Sequence, residues 1–182
     1  MAPPAYTASE AQSRETFLAL MWALSYPGRK QALPDRGSPF ALIGDALLDL
    51  ETSFFTPDAA LAAHLTRTGA RALEPERAAY HFYPKLDETA LAAISRASVG
   101  TLSYPDQAAT LIIGARFRSG GALALTGPGI KQSSVIQLDG IPASFWKMRE
   151  RAAFPLGWDA FFIDDRAVLG LPRSTKVTLM NR

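Results

Sequence analysis

"AATLIIGARF", residues 108–117, is apolar almost without a break over the length of one strand. A strand with one face in water alternates. An unbroken run belongs to a strand covered on both faces, as in a sheet packed between helices. The neighbouring stretches agree. Upstream, "AAYHFY" (78–83) reads as a strand and "LDETALAAISRA" (86–97) as an amphipathic helix after it. "TSFF" (52–55) is β-branched and aromatic, a strand ending before Pro57, and "PDAALAAHLTRTG" (57–69) is a helix closed by Gly69. Downstream, "GALALT" (121–126) is expected to return along the apolar run as a hairpin across Ser119-Gly120-Gly121. "PASFWKMRER" (142–151) is helical, and "WDAFFID" (158–164) with "AVLGL" (167–171) forms a second hairpin across Asp164-Asp165-Arg166. Strands and helices alternate in the first half, and hairpins dominate the second. The fold class is therefore α/β, a single domain over 1–182 with a mixed sheet flanked by helices.

At the N-terminus, Ser9 and Gln12 have capping-box spacing and place a helix start at Glu10. Phe17, Leu20, Met21 and Leu24 recur at the helical period as its core-facing stripe. "SYPG" (25–28) ends it, and Ser38-Pro39 opens a second helix through "FALIGDALLDL" (40–50).

The totals set limits. The 182 residues are 48% apolar and 20% charged, ordinary for a globular chain. With no cysteine, disulfides, thiolate-bound zinc and thiol nucleophiles are excluded. No segment approaches the roughly 18 apolar residues of a membrane span. "MAPPAYTASEAQSRE" lacks a basic start followed by an apolar block, so no secretory signal is expected and the location is read as cytoplasmic. The net charge of +2 divides unevenly: residues 1–130 carry 11 basic and 12 acidic side chains, residues 131–182 carry 8 and 5. That C-terminal excess suits a small anion, but without a clustered basic face it does not suit nucleic acid.

Chemistry-bearing patterns are few. His64 and His81 are the only histidines and sit on different predicted elements, so they make no metal motif. No serine occupies a G-x-S-x-G elbow. Asp164-Asp165 fits a solvated turn. "TGPGIK" (126–131) suits a type II turn with Pro128 and Gly129 at its centre. Such a turn offers the amides of Gly129 and Ile130 to an anion, beside Gly127, the Thr126 hydroxyl and Lys131; it serves equally as the corner that ends a strand. In "LGLPRSTKV" (169–177), Pro172 ends a strand and Arg173, Ser174, Thr175 and Lys176 follow, four anion-capable side chains in a row. The same four also serve as a charged sheet edge. Asp159, where "WDAFFID" begins, is placed to orient Arg173 from the neighbouring strand.

Three ordered blocks carry a resemblance: "FLALMWALSYPG" (17–28), "ATLIIGARFRSGGALALTGPGI" (109–130) and "FPLGWDAFFIDDRAVLGLPRSTKV" (154–177). Together they resemble the H subunit of the bacterial carbon–phosphorus lyase system, with residues 29–105 matching more loosely. The matching positions are Pro27 and Gly28, Ser119 to Gly121, Thr126 to Ile130, Phe154 to Gly157, Asp159, and Pro172 to Thr175. The resemblance implies a fold similar to a shortened pyridoxal-phosphate-dependent transferase core without the cofactor. It implies a homodimer that joins the G, I and J subunits. In that assembly ribose 1-methylphosphonate 5-triphosphate is made from ATP and methylphosphonate. Catalytic residues do not transfer, because the glycosidic chemistry is assigned to the I subunit. One departure is Leu18, where the family often has arginine. Large apolar side chains such as Trp22, Phe54, Phe55 and Trp146 are expected to support the dimer. The competing readings are a stand-alone anion- or nucleotide-binding or scaffold protein, and an independent pyridoxal-phosphate enzyme.

Overall fold

Thr7, not Ser9, opens the first helix. In the computed structural model, which describes residues 6–180, α1 spans Ala8–Ser25. The Thr7 hydroxyl accepts the Glu10 amide at 3.2 Å, and the Glu10 carboxylate accepts the Thr7 amide at 2.7 Å. The capping box thus falls on Thr7 and Glu10, because a charged carboxylate accepts from a backbone amide more strongly than a glutamine amide does. These bonds hold the Glu10 carboxyl below its ordinary range. Of the stretch read for a secretory signal, residues 1–15, the first five lie outside the described residues. Among those residues no helix is long and apolar enough to cross a membrane.

The remaining elements follow in chain order: β1 (Lys30–Ala32), α2 (Pro39–Leu47), β2 (Ser53–Phe55), α3 (Ala59–Leu65), β3 (Arg71–Ala72), β4 (Tyr80–Tyr83), α4 (Glu88–Ile94), β5 (Thr110–Gly114), β6 (Arg116–Thr126), β7 (Ser134–Asp139), α5 (Ala143–Glu150), β8 (Asp159–Asp164), β9 (Ala167–Leu171) and β10 (Lys176–Leu179). A seven-stranded mixed sheet runs β1-β9-β8-β5-β4-β2-β3, and a three-stranded antiparallel sheet runs β10-β6-β7. The α/β class with a mixed sheet and flanking helices holds, and β8 with β9 forms the expected hairpin, Asp164 opposite Ala167.

The other expected hairpin does not form. β5 pairs in parallel with β4 on one side and β8 on the other, so neither of its edges is open to a returning strand. The chain instead leaves the large sheet after Gly114, and Arg116–Thr126 is one strand of the small sheet. Its Ser119-Gly120 segment is a bulge, with Phe117 and Gly121 both opposite Leu138.

Alternation along the central strands divides the interior in two. Leu111 and Ile113, Ala160 and Phe162, and Leu169 face a core shared with α4, α5 and the small sheet. Ile112, Phe161, Ile163 and Val168 face a core shared with α1, α2 and α3. The layers are therefore helices, the large sheet, then helices together with the small sheet.

The face α1 turns to the sheet is not the expected stripe. Thr16, Ala19, Leu20 and Ala23 are buried, whereas Phe17, Met21 and Trp22 are 51%, 39% and 44% exposed. Gly170 of β9 explains the rotation. A Cβ there would lie 2.6 Å from the backbone carbon of Ala23, so helix and strand approach too closely for anything but small side chains between them. Phe54 and Trp146, expected at a dimer contact, are core residues, and Phe55 is partly buried. Trp22 remains outside, stacked on Tyr26 with ring centroids 5.6 Å apart.

Of the two histidines, His64 is half-buried and bonds Asp45 at 2.9 Å, with Arg67 on its other nitrogen. His81 is fully buried. Its Nε2–H donates to the Ala78 carbonyl at 3.2 Å, which leaves Nδ1 to accept from the Tyr83 hydroxyl at 2.9 Å. Burial depresses its pKa from 6.5 to about 4.

Two outcomes are expected. Gly170→Ala should destabilise the fold by about 1–3 kcal/mol in urea denaturation, because backbone must move to admit the methyl group. A depressed histidine pKa means that the unfolded chain takes up a proton that the folded chain refuses. Stability should therefore fall as pH drops from 6.5 towards 4, by at most about 1.4 kcal/mol per pH unit. His81→Phe should flatten that slope in unfolding curves taken at successive pH values.

Candidate functional site

The pairing of β8 with β9 brings the two halves of the third sequence block together. Ala160 lies opposite Leu171, so Asp159 faces Pro172, which has no N–H to continue the ladder. The Asp159 carboxylate takes up the next donor instead. Its Oδ1 accepts the Arg173 amide at 2.7 Å, and Oδ2 accepts Arg173 Nη2 at 2.7 Å and Nε at 3.2 Å. Arg173 Nη1 also donates to the Pro105 carbonyl. Asp159 orients Arg173, as its position at the strand start suggests.

A second arginine joins them. On α5, Arg149 shares the inward face with Phe145 and Trp146, and all three are buried. Its guanidinium donates to the carbonyls of Trp158 (2.5 Å), Leu171 (3.2 Å) and Pro172 (2.6 Å). It thereby ties the start of β8 and the end of β9 to α5. Burial lowers its pKa to about 10, with Asp159 opposing the shift and Arg173 adding to it, so Arg149 is a cation at neutral pH. Sequence reading missed Arg149. The available signal was its spacing, three and four residues beyond Trp146 and Phe145 on a helix whose apolar face those two define.

Beside this cluster lies a cleft of about 480 Å³ between α5 and the segment that enters β10. Trp146, Phe154 and Val177 give it apolar walls, and Arg149, Arg173, Ser174, Thr175 and Lys176 give it donors. Its one carboxylate, Glu150, belongs to an exposed residue. Thr175 is 4% exposed, and its hydroxyl is buried without a hydrogen-bond partner.

The "TGPGIK" residues divide. Thr126 is exposed at the end of β6, in register with Lys176. Gly127 lies against Ser174 and Thr175, its hypothetical Cβ only 2.9 Å from the Ser174 carbonyl oxygen. Gly129 has φ +80° and sits against Ser25 and Pro27. The Ile130 amide donates to Gly127 O at 3.1 Å, closing the expected turn. That amide is therefore not open to a ligand, which corrects the expectation that the turn presents it. Lys131 lies with Arg29, Pro27 and Gly129 around a separate cleft of about 340 Å³. Asp159, Arg173, Ser174 and Thr175 thus gather at one place with Gly127 behind them, while Gly129 and Lys131 face another.

The three sequence blocks therefore meet: the end of α1 on Gly129, Gly127 on Ser174, and Asp159 on Arg173. A family model described as bacterial phosphonate metabolism protein (PhnH) matches residues 4–178. The chain belongs to the PhnH family. It is 36% identical over 173 residues to HtxG of Stutzerimonas stutzeri, named as a C-P lyase subunit protein, covering 92% of this chain and 87% of that one. It is 32% identical over 184 residues to the alpha-D-ribose 1-methylphosphonate 5-triphosphate synthase subunit PhnH of Rhizobium meliloti (strain 1021), covering 92% and 90%.

Asp159→Ala should lower stability by about 1.5–3 kcal/mol, because Arg173 loses its carboxylate and two strand ends lose a shared acceptor. A double-mutant cycle with Arg173→Ala should give a coupling energy of at least about 0.5 kcal/mol. Additive losses in urea denaturation would show the pair to be independent.

Proposed function

We propose that this chain is the H-type subunit of a carbon–phosphorus lyase core complex, needed for forming ribose 1-methylphosphonate 5-triphosphate from ATP and methylphosphonate. The family match over residues 4–178 carries the reading, and the names of both relatives support it. The subunit acts as a structural or co-catalytic member, with G, I and J subunits as partners in the cytoplasm. Its candidate cleft supports that role: donors line it, no histidine does, and its one carboxylate belongs to exposed Glu150, so it holds no paired acid and base.

The reading includes no pyridoxal phosphate, although the architecture would be kin to the core of the transferases that use it. A Schiff-base lysine is ordinarily desolvated or set beside another cation in a pocket. All five lysines, Lys30, Lys85, Lys131, Lys147 and Lys176, are exposed. A second copy of the chain is the partner proposed for the exposed α1 face of Phe17, Met21 and Trp22; of the four aromatic side chains first considered for that contact, Trp22 is the one left outside.

Co-expression with G, I and J subunits should yield a complex that releases adenine from ATP when methylphosphonate is present. Equal release without this chain would overturn the functional reading. In sedimentation at micromolar concentration the chain should run as a dimer and Trp22→Asp as a folded monomer.

A further inference from the structure

We propose that the cleft between α5 and the Arg173–Thr178 segment binds a phosphoryl or phosphonyl oxyanion that carries an apolar or flat organic group. The inference rests on the subunit reading only for its biological setting; the site is argued from its own residues.

Charge is the first ground. Arg149, Arg173 and Lys176 all line the cleft. Arg173 is paired with Asp159, at 2.7 Å. Arg149 is in no ion pair among the described residues, and its bonds go to backbone carbonyls alone. Carbonyl dipoles satisfy its N–H groups without neutralising it, and Lys176 adds a second uncompensated cation at the mouth. A buried charge left in that condition, as at Arg149, favours an anion beside it, and the exposed Lys176 adds to the same field.

The second ground is Thr175. Its amide is bonded to Pro172 O at 2.9 Å, but its hydroxyl is buried and has no partner. Leaving a buried hydroxyl unsatisfied is unfavourable. Threonine χ1 has staggered alternatives, and one step between them carries the hydroxyl to the position that its methyl group or its Cβ hydrogen held. That step would offer the hydroxyl to an oxygen held between Ser174 and Lys176. A tetrahedral oxyanion has enough acceptors for such a set; a planar carboxylate has fewer.

The third ground is the apolar wall. Phe154 is 69% exposed at the rim, and Trp146 and Val177 continue the surface inward. Inorganic phosphate would leave that wall wet, whereas an alkyl group or a base would cover it. At about 480 Å³ the cleft falls within the range of small-molecule sites. The other cationic cleft, at Arg29 and Lys131, has no buried donor and no aromatic wall, so it does not carry the same case.

The test is a titration of the whole chain, followed by calorimetry and phosphorus NMR, with inorganic phosphate, methylphosphonate and AMP at low salt. At least one organic ligand is expected to bind several-fold tighter than inorganic phosphate, with affinity falling as salt rises. Lys176→Ala and Thr175→Val should each weaken it by about tenfold, the value of one charge-assisted or rescued hydrogen bond. Phe154→Ala should abolish the preference over inorganic phosphate. Tighter AMP points to a nucleotide source and tighter methylphosphonate to a phosphonate source. No saturable binding below about 10 mM, or affinities unchanged in folded Lys176→Ala, overturns the site. If adenine release by the co-expressed complex still requires this subunit while the titrations fail, the inference falls and the functional reading stands.

Discussion

The structure depends on how two strands are allowed to stop. Pro172 cannot donate to the ladder, and the carbonyls of Leu171, Pro172 and Trp158 converge where the strands end, with only the Thr175 amide reaching Pro172 O from the chain that follows. Buried backbone acceptors without donors are costly, and the chain answers with side chains. Arg149 supplies donors to all three carbonyls, and Asp159 supplies the acceptor for the Arg173 amide. The arrangement also fixes α5 and the loop at Pro105 against the sheet. Because the small sheet hangs from the same segment through β10, the relation between the two sheets rests on this polar cluster as well as on the apolar core.

Much of the layer plan is legible in one-dimensional patterns. β5 and β8 are buried on both faces along their interiors, and those interiors, Leu111–Ile113 and Ala160–Ile163, are correspondingly apolar. The turns at Gly69 and at Pro128-Gly129 follow from positions that need positive φ, and Asp159 meets Arg173 as strand register requires. What was not legible has two physical causes. A continuous apolar run specifies burial but not which edge is occupied, so β5 reads the same whether its partner is the next strand in sequence or β4 and β8. Helical periodicity likewise counts apolarity and ignores size. On α1 the larger residues form the more evident stripe, yet the contact with β9 at Gly170 admits only Ala19, Leu20, Ala23 and their neighbours.

Arg149 illustrates the limit for the site. Its charge argues for the surface and its helical phase for the core; the phase prevails because three carbonyls lie within reach of the guanidinium. A cation on an apolar stripe carries more information than either feature alone, since placing it there is unfavourable unless particular acceptors are ready. Arg173 and Ser174, by contrast, were visible from local composition.

The same reasoning connects stability with function. Two arginines and one aspartate are enclosed where three backbone carbonyls converge, so the cluster holds one positive charge more than it neutralises. Replacing Arg149 with a neutral donor would satisfy fewer carbonyls, because no other side chain presents five N–H groups in one plane. The fold's solution to an interrupted ladder therefore leaves a cationic floor, and the segment that follows Pro172 lays Ser174, Thr175 and Lys176 along it. A cleft suited to an anion emerges here from the way the sheet ends, with the hydroxyls and the lysine as its adjustable part and the arginines as its fixed one.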